Sequence, residues 1–301
     1  MAILEIANVI LPVFLIISIG FLLGKFSDID SKGPSNLCLY VFSPALFFSS
    51  LINSTIDTWD LGKIALFALV VFAIFALLIK LLSKGIGYDN QTGNALMLAS
   101  GFPNSGNYGL PIILFAFGEE GLAFGIIFMA IQSFLMNSAG VFYASQAQQG
   151  FKEAVINIFR IPGFMAITLG LVLRLMEVQL PPVIDRPIEL LGSAAIPTIL
   201  TLLGLSLAKV RVTNALKFVS LATVLKLVVY PLVGFLIVGF FFPLDTLAGK
   251  VLFLCTAAPT AATTTLLAIK FDTKPELVST AMFATTMVSL VTVSLVLAFL
   301  M

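Results

Sequence analysis

Two stretches of this chain break helical geometry inside segments that are otherwise apolar and long enough to cross a lipid bilayer. The first is Gly101-Phe102-Pro103-Asn104-Ser105-Gly106-Asn107-Tyr108-Gly109-Leu110-Pro111, and the second is Ala257-Ala258-Pro259-Thr260-Ala261-Ala262-Thr263-Thr264-Thr265. Hydrocarbon offers a peptide group no hydrogen-bond partner, so an interrupted helix survives at membrane depth only where protein or a water-filled cavity surrounds the break. Two such breaks at matching places in two halves of a chain point to a secondary transporter, whose site is built from discontinuous helices near the midplane.

The composition fits that reading. Of 301 residues, 59% are hydrophobic and 10% charged, with a mean hydropathy of +1.12. This exceeds the roughly 45 to 50% apolar share of soluble domains and marks an integral membrane protein. A net charge of +1 without basic or acidic runs gives nucleic acid no footing. Lipid and small solutes are the expected partners. Histidine is absent, and Cys38 and Cys255 lie in apolar stretches, so zinc coordination and His-assisted nucleophilic catalysis lack their groups. Both cysteines read as buried free thiols. The first apolar segment, Ile6 to Leu23, has no basic leader and no small-residue cleavage site, and reads as a retained helix.

Apolar segments near the ~20 residues needed to span the hydrocarbon begin at Ile6, Pro34, Leu61, Thr92 and Gly121, and again at Ile161, Pro187, Ala215, Leu247 and Pro275. The polar connector 146–158, from Gln146 through Lys152 and Glu153, divides a first five-helix repeat, 1–145, from a second, 159–301. Pro12 and Gly20 recur as Pro162 and Gly170. Pro44 then pairs with Pro197, Pro103 with Pro259 and Glu120 with Glu276, at an offset that grows from 150 to 156. Ordered pairs at slowly growing spacing favour a duplicated unit. Five spans per unit is odd, so the second unit enters from the opposite face and the repeats are inverted. With both termini outside, the cytoplasmic loops hold eleven basic residues, among them Lys25, Lys84, Lys152, Arg160 and Lys270, against four outside: Lys63, Arg174, Arg186 and Lys250. That is the positive-inside asymmetry.

A broken helix supplies mid-membrane hydrogen-bonding groups from its own backbone. Its second half presents free N–H groups and a positive dipole end suited to an anion, and its first half presents carbonyls suited to a cation. Pro103 and Pro259 shape the breaks, together with Gly109 and Pro111. Asn104, Ser105, Gly106, Asn107 and Tyr108 are expected to line the first gap, and Thr260 and Thr263 the second. The plainer alternative is a kinked helix whose amides and threonines only bind neighbouring helices. Lys226 is the one charge well inside a predicted span. It either donates to the carbonyl ends or polar residues of the broken helices, contacts substrate directly, or snorkels to the interface. Asp57, Asp60, Lys63, Glu119 and Glu120 read as solvated loop charges. No carboxylate occupies a span centre, which disfavours a buried acidic proton relay.

These residues resemble the auxin efflux carrier family, which includes plant PIN-type auxin exporters and bacterial malate or malonate permease-like members. Pro103-Asn104-Ser105 followed by Gly109-Leu110-Pro111 is similar to the family's Pro-Asn-Thr-x-x-x-Gly-Ile-Pro crossover. Arg160 with Pro162 resembles the opening of its sixth helix, and Lys226 with Pro231 a basic residue and proline in its eighth. Pro275-Glu276-Leu277-Val278-Ser279-Thr280-Ala281 resembles Pro-Asp-Ile-Leu-Ser-Thr-Ala at the start of the last. The resemblance implies an all-α membrane protein of ten helices, a 5+5 inverted repeat with crossing broken helices 4 and 9, in a sodium/proton antiporter-like, bile-acid-symporter-like fold. Helices 1, 2, 6 and 7 would form a scaffold, often dimeric, and helices 3–5 and 8–10 would carry the solute by an elevator-type movement. Two departures stand out: the long hydrophilic loop of the plant exporters is missing, and the second proline of helix 9 is replaced near Thr264.

The expectation is therefore a carrier of small organic carboxylates in the inner or plasma membrane, without a cofactor and not an enzyme. A coupling ion, sodium or proton, is not specified by the residues. A sodium-coupled symporter, an anion channel or structural membrane protein, and a binding-only receptor are the alternatives.

Overall fold

The computed structural model describes residues 2–145 and 161–301, which form helices joined by short turns and one isolated antiparallel bridge. The connector 146–158 and Arg160 lie outside the described residues. The helices are α1 (Ala2–Phe26), α2 (Lys32–Ile52), α3 (Thr58–Ile86), α4 (Asn90–Ser100), α5 (Ser105–Ala144), α6 (Pro162–Leu175), α7 (Pro182–Ala208), α8 (Leu216–Val238), α9 (Leu247–Ala257), α10 (Ala262–Lys270) and α11 (Pro275–Leu300). Seven of them, α1, α2, α3, α5, α7, α8 and α11, are long and apolar enough to cross a membrane. Outward-facing side chains such as Leu11, Leu15 and Ile19 are exposed yet apolar, as lipid contact requires.

Helix α5 is 40 residues long, about 60 Å if straight and so about twice the hydrocarbon thickness. Gly118, at φ 67 and ψ −166, breaks it. The two arms then lie against each other: Gly125 faces Ile113 and Leu110 closely enough that a Cβ would meet the Ile113 side chain at 2.8 Å. Glu119 and Glu120 sit at the resulting turn.

Three of the four wider, π-type turns among the described residues share one cause. They cover Cys38–Phe42, Ser105–Gly109 and Leu225–Val229, and each ends one residue before the residue that precedes a proline's ring: Ser43 then Pro44, Leu110 then Pro111, Tyr230 then Pro231. A helical proline donates no hydrogen bond and its ring collides with the carbonyl four residues back. One inserted residue, with Tyr230 N–H reaching Leu225 O in place of the usual partner, relieves that collision without ending the helix.

Helix α1 packs chiefly along the Ala195–Ala208 part of α7, and α2 against α6 and the first part of α7. Glycine permits both close approaches. A Cβ on Gly20 would fall 2.2 Å from the Thr201 carbonyl oxygen, and one on Gly204 would fall 2.1 Å from that of Ile17. On the other pair, Gly170 faces the Phe48 backbone. Gly20 and Gly170 are repeat-related by sequence, and Phe48 and Thr201 stand at the offset that relates Pro44 to Pro197.

Two expectations change. Helix α7 begins at Pro182, not Pro187: Asp185, Arg186 and Glu189 interrupt the apolar run, but Pro182 occupies the first helical turn, where a missing N–H costs nothing. Asp57 is more than a solvated charge, because its carboxylate caps α3 by accepting from Trp59 N–H at 3.1 Å. Asp60 and Lys63 pair at 3.0 Å on the exposed side of that first turn.

Candidate functional site

Between α4 and α5, and between α9 and α10, the chain leaves helical geometry, and the two gaps cross. Ala258 (φ −60, ψ 145) and Ala261 (φ −65, ψ 132) are extended. Pro103 and Thr260 form the antiparallel bridge: Asn104 N–H donates to Pro259 O at 2.7 Å, and Ala261 N–H donates to Phe102 O at 2.9 Å. The Thr260 hydroxyl donates to the Ala99 carbonyl at the end of α4, while Thr260 N–H donates to the Thr285 hydroxyl of α11 at 3.2 Å. Backbone groups that proline and the bends free from their own helices are thus satisfied by the other break. The second gap needs no second proline to stay open, because these cross-bonds hold it extended.

A cavity of ≈580 Å³ lies against the crossing. Asn104, Ser105, Gly106 and Asn107 line it from the first break, with Thr263 from the second. Asn107 and Thr263 are the exposed members of that set. The Asn104 Oδ1 accepts from Asn107 N–H at 3.2 Å, which caps the second half-helix, and its Nδ2 is buried without a partner. Helix α10 starts beside the cavity with no side-chain cap, so its first N–H groups carry the positive end of its dipole toward this space. No acidic or basic side chain lines the cavity among the described residues. The cavity also reaches Met136, Ile161 and Pro162, and so lies toward the face where residues 145 and 161 emerge.

Three expected site residues sit elsewhere. Tyr108 is fully buried and does not line the cavity. Its hydroxyl accepts from the Ser289 hydroxyl at 2.9 Å, and its ring meets Phe14 edge-on at 6.1 Å. Thr260 is fully buried, its hydroxyl spent on Ala99. Lys226 is also fully buried, which excludes snorkelling, but its Nζ makes no hydrogen bond to the broken helices. It lies instead 3.8 Å from the centroid of the Tyr230 ring. The π-type turn carrying it points Nζ at that ring while packing against α4, α9 and α11. Pro259, Gly109 and Pro111 shape backbone and stay outside the cavity wall.

Gln132, on the second arm of α5, was not singled out by the sequence. It is 4% exposed, lines the cavity, and neither amide atom has a partner. The nearby Tyr230 hydroxyl approaches it without reaching hydrogen-bond geometry and is unpartnered too. Each unmet buried polar group costs about 1–3 kcal/mol, so several around one cavity imply a partner supplied by ligand or water. A glutamine between Ile131 and Ser133 in a helix of membrane length was the signal that was available.

A larger cavity, ≈790 Å³, lies at the opposite end, walled by Ser50, Asn53 and Ser54 and by Glu119, Glu120 and Glu189. It contains no residue of either break, and its carboxylates repel an anion. The crossing and its smaller cavity therefore define the candidate site.

Membrane-spanning helices around a crossed pair of interrupted ones make this a multi-pass membrane transporter. The chain belongs to the membrane transport protein family, whose model matches residues 6–157 and 151–297. It is 26% identical over 295 residues to an uncharacterized transporter of Methanothermobacter thermautotrophicus, covering 95% of each chain. It is 24% identical to an uncharacterized transporter of Methanocaldococcus jannaschii, covering 96% of each. A Rhizobium meliloti protein named "Putative malonate transporter" is 23% identical over 96% of this chain and 94% of its own.

Proposed function

We propose that this protein is a carrier, not an enzyme, that moves a small organic carboxylate across the cell membrane by alternating access. The observation that carries this reading is the crossing itself. The uncapped N-terminus of α10 and the unpartnered Asn104 amide border a cavity that has no acidic group to repel an anion. The malonate named for the Rhizobium relative is a carboxylate of this kind.

The same reading gives ten helices as two inverted repeats, 1–145 and 159–301, with both termini outside. Support comes from the packing of Gly20 on Thr201 and of Gly170 on Phe48, which the repeat offsets interchange. Helices α1, α2, α6 and α7 form the scaffold, through which two copies dimerise, and the remaining helices move with the crossing as an elevator. The lack of a carboxylate in the cavity among the described residues favours this carrier over a sodium-coupled symporter. Proteoliposome counterflow tests the reading: external malonate should accelerate exit of labelled internal malonate and saturate, and Asn107→Ala should weaken it while leaving expression intact. Linear, unsaturated flux would indicate a pore, and unchanged flux in the variant would remove Asn107 from the site.

A further inference from the structure

Gln132 sits where a second part of a substrate would meet the wall. It shares the cavity with Asn104 and comes from the second arm of α5. It is 4% exposed with both amide atoms unpartnered. Beside it lies the Tyr230 hydroxyl, which is also without a hydrogen-bond partner. An amide held at the cavity wall without a partner in the fold has a donor left over, which an acceptor group on a ligand would satisfy.

We propose that Gln132 is a specificity-determining residue that selects substrates carrying a second acceptor group, a carboxylate or carbonyl, beyond the carboxylate held at the crossing. The proposal rests on the carboxylate reading above. A substrate with only one such group leaves a buried amide unpaired, and sites built to hydrogen-bond a substrate group discriminate strongly against analogues that lack it. The competing role is structural, with Gln132 serving only to pair with Tyr230.

Malonate and propionate are the test pair, since a methyl in one stands where the other has its second carboxylate. Binding is read by thermal-shift titration of the purified full chain. Wild type should bind malonate at least about tenfold tighter, the effect of one hydrogen bond to a charged group. Gln132→Leu should bring the two anions to within about threefold of each other. Gln132→Glu, which keeps the shape but adds a like charge, should weaken malonate more than propionate and decides the matter if the leucine variant does not fold. A uniform loss for both anions in these variants, or an unchanged preference, would overturn the proposal and leave Gln132 a structural role. Equal binding of both anions by wild type sinks the Gln132 proposal alone, whereas binding of neither sinks the carboxylate reading along with it.

Discussion

The backbone N–H of Asn104 donates to the carbonyl of Pro259 at 2.7 Å, so the two helix breaks of this chain complete each other's hydrogen bonding. Each break is unaffordable at membrane depth alone, and the pair is stable because each supplies what the other lacks. The same crossing leaves the uncapped N-terminus of α10 and the unpartnered Asn104 amide beside a cavity, which is how a folding requirement becomes a binding site.

Thr260 closes this crossing through its side chain. Thr260→Val, nearly the same shape, removes the donor to the Ala99 carbonyl and leaves that buried acceptor unmet. It should cost about 1–3 kcal/mol, seen as a lower melting temperature in detergent, while Thr260→Ser should recover most of the loss.

Lys226 is fully buried, and its Nζ has no hydrogen-bond partner. Replacing a buried, unsatisfied amine by an apolar side chain of similar length removes an unmet polar group that costs about 1–3 kcal/mol. Lys226→Met should therefore melt at the wild-type temperature or above it. A variant that melts lower would show that the amine is held by a partner within the fold.

The α1–α7 contact depends on Gly20. Its Cβ would stand 2.2 Å from the Thr201 carbonyl, so Gly20→Ala should cost about 1–3 kcal/mol through forced backbone displacement. Gly33→Ala is the control, since nothing lies within 4 Å of that position and alanine is the better helix former. It should be neutral or slightly stabilising in the same melting measurement.

Asp89 caps α4 at the foot of the first broken helix, accepting from Thr92 N–H at 2.7 Å. The Thr92 hydrogen bonds hold its carboxyl below the ordinary value of 3.8. Because the folded value is the lower one, the cap's contribution is complete above pH 3.8 and fades as pH falls below it toward the folded value. Asp89→Ala should lower the melting temperature at neutral pH and flatten its decline in acid, and Asp89→Asn should keep the cap without the acid sensitivity.

Much of this fold was legible because membrane helices announce themselves by apolar length, and both breaks by prolines with polar neighbours. Pro103 and Pro259 located the gaps, and Asn104, Ser105, Gly106, Asn107 and Thr263 do line the cavity. Tyr108 and Thr260 do not, because a side chain's direction around a break is set by the partner chain that crosses it, and one segment's pattern carries no record of that partner. Lys226 was visible as a buried charge, but the ring beneath it was not, since Pro231 imposes the π-type turn that aims it there. Gln132 escaped notice as a single amide among apolar residues, with no break beside it.

The most direct measurement is an experimental structure of the purified protein with bromomalonate, located by the anomalous signal of its bromine. If the crossed breaks form the carboxylate site, the bromine peak falls in the cavity bounded by Asn104, Asn107 and Gln132, and it disappears when unlabelled malonate competes. A competable peak in the acidic cavity beside Glu119 and Glu189, or no competable peak at saturating ligand, would contradict it.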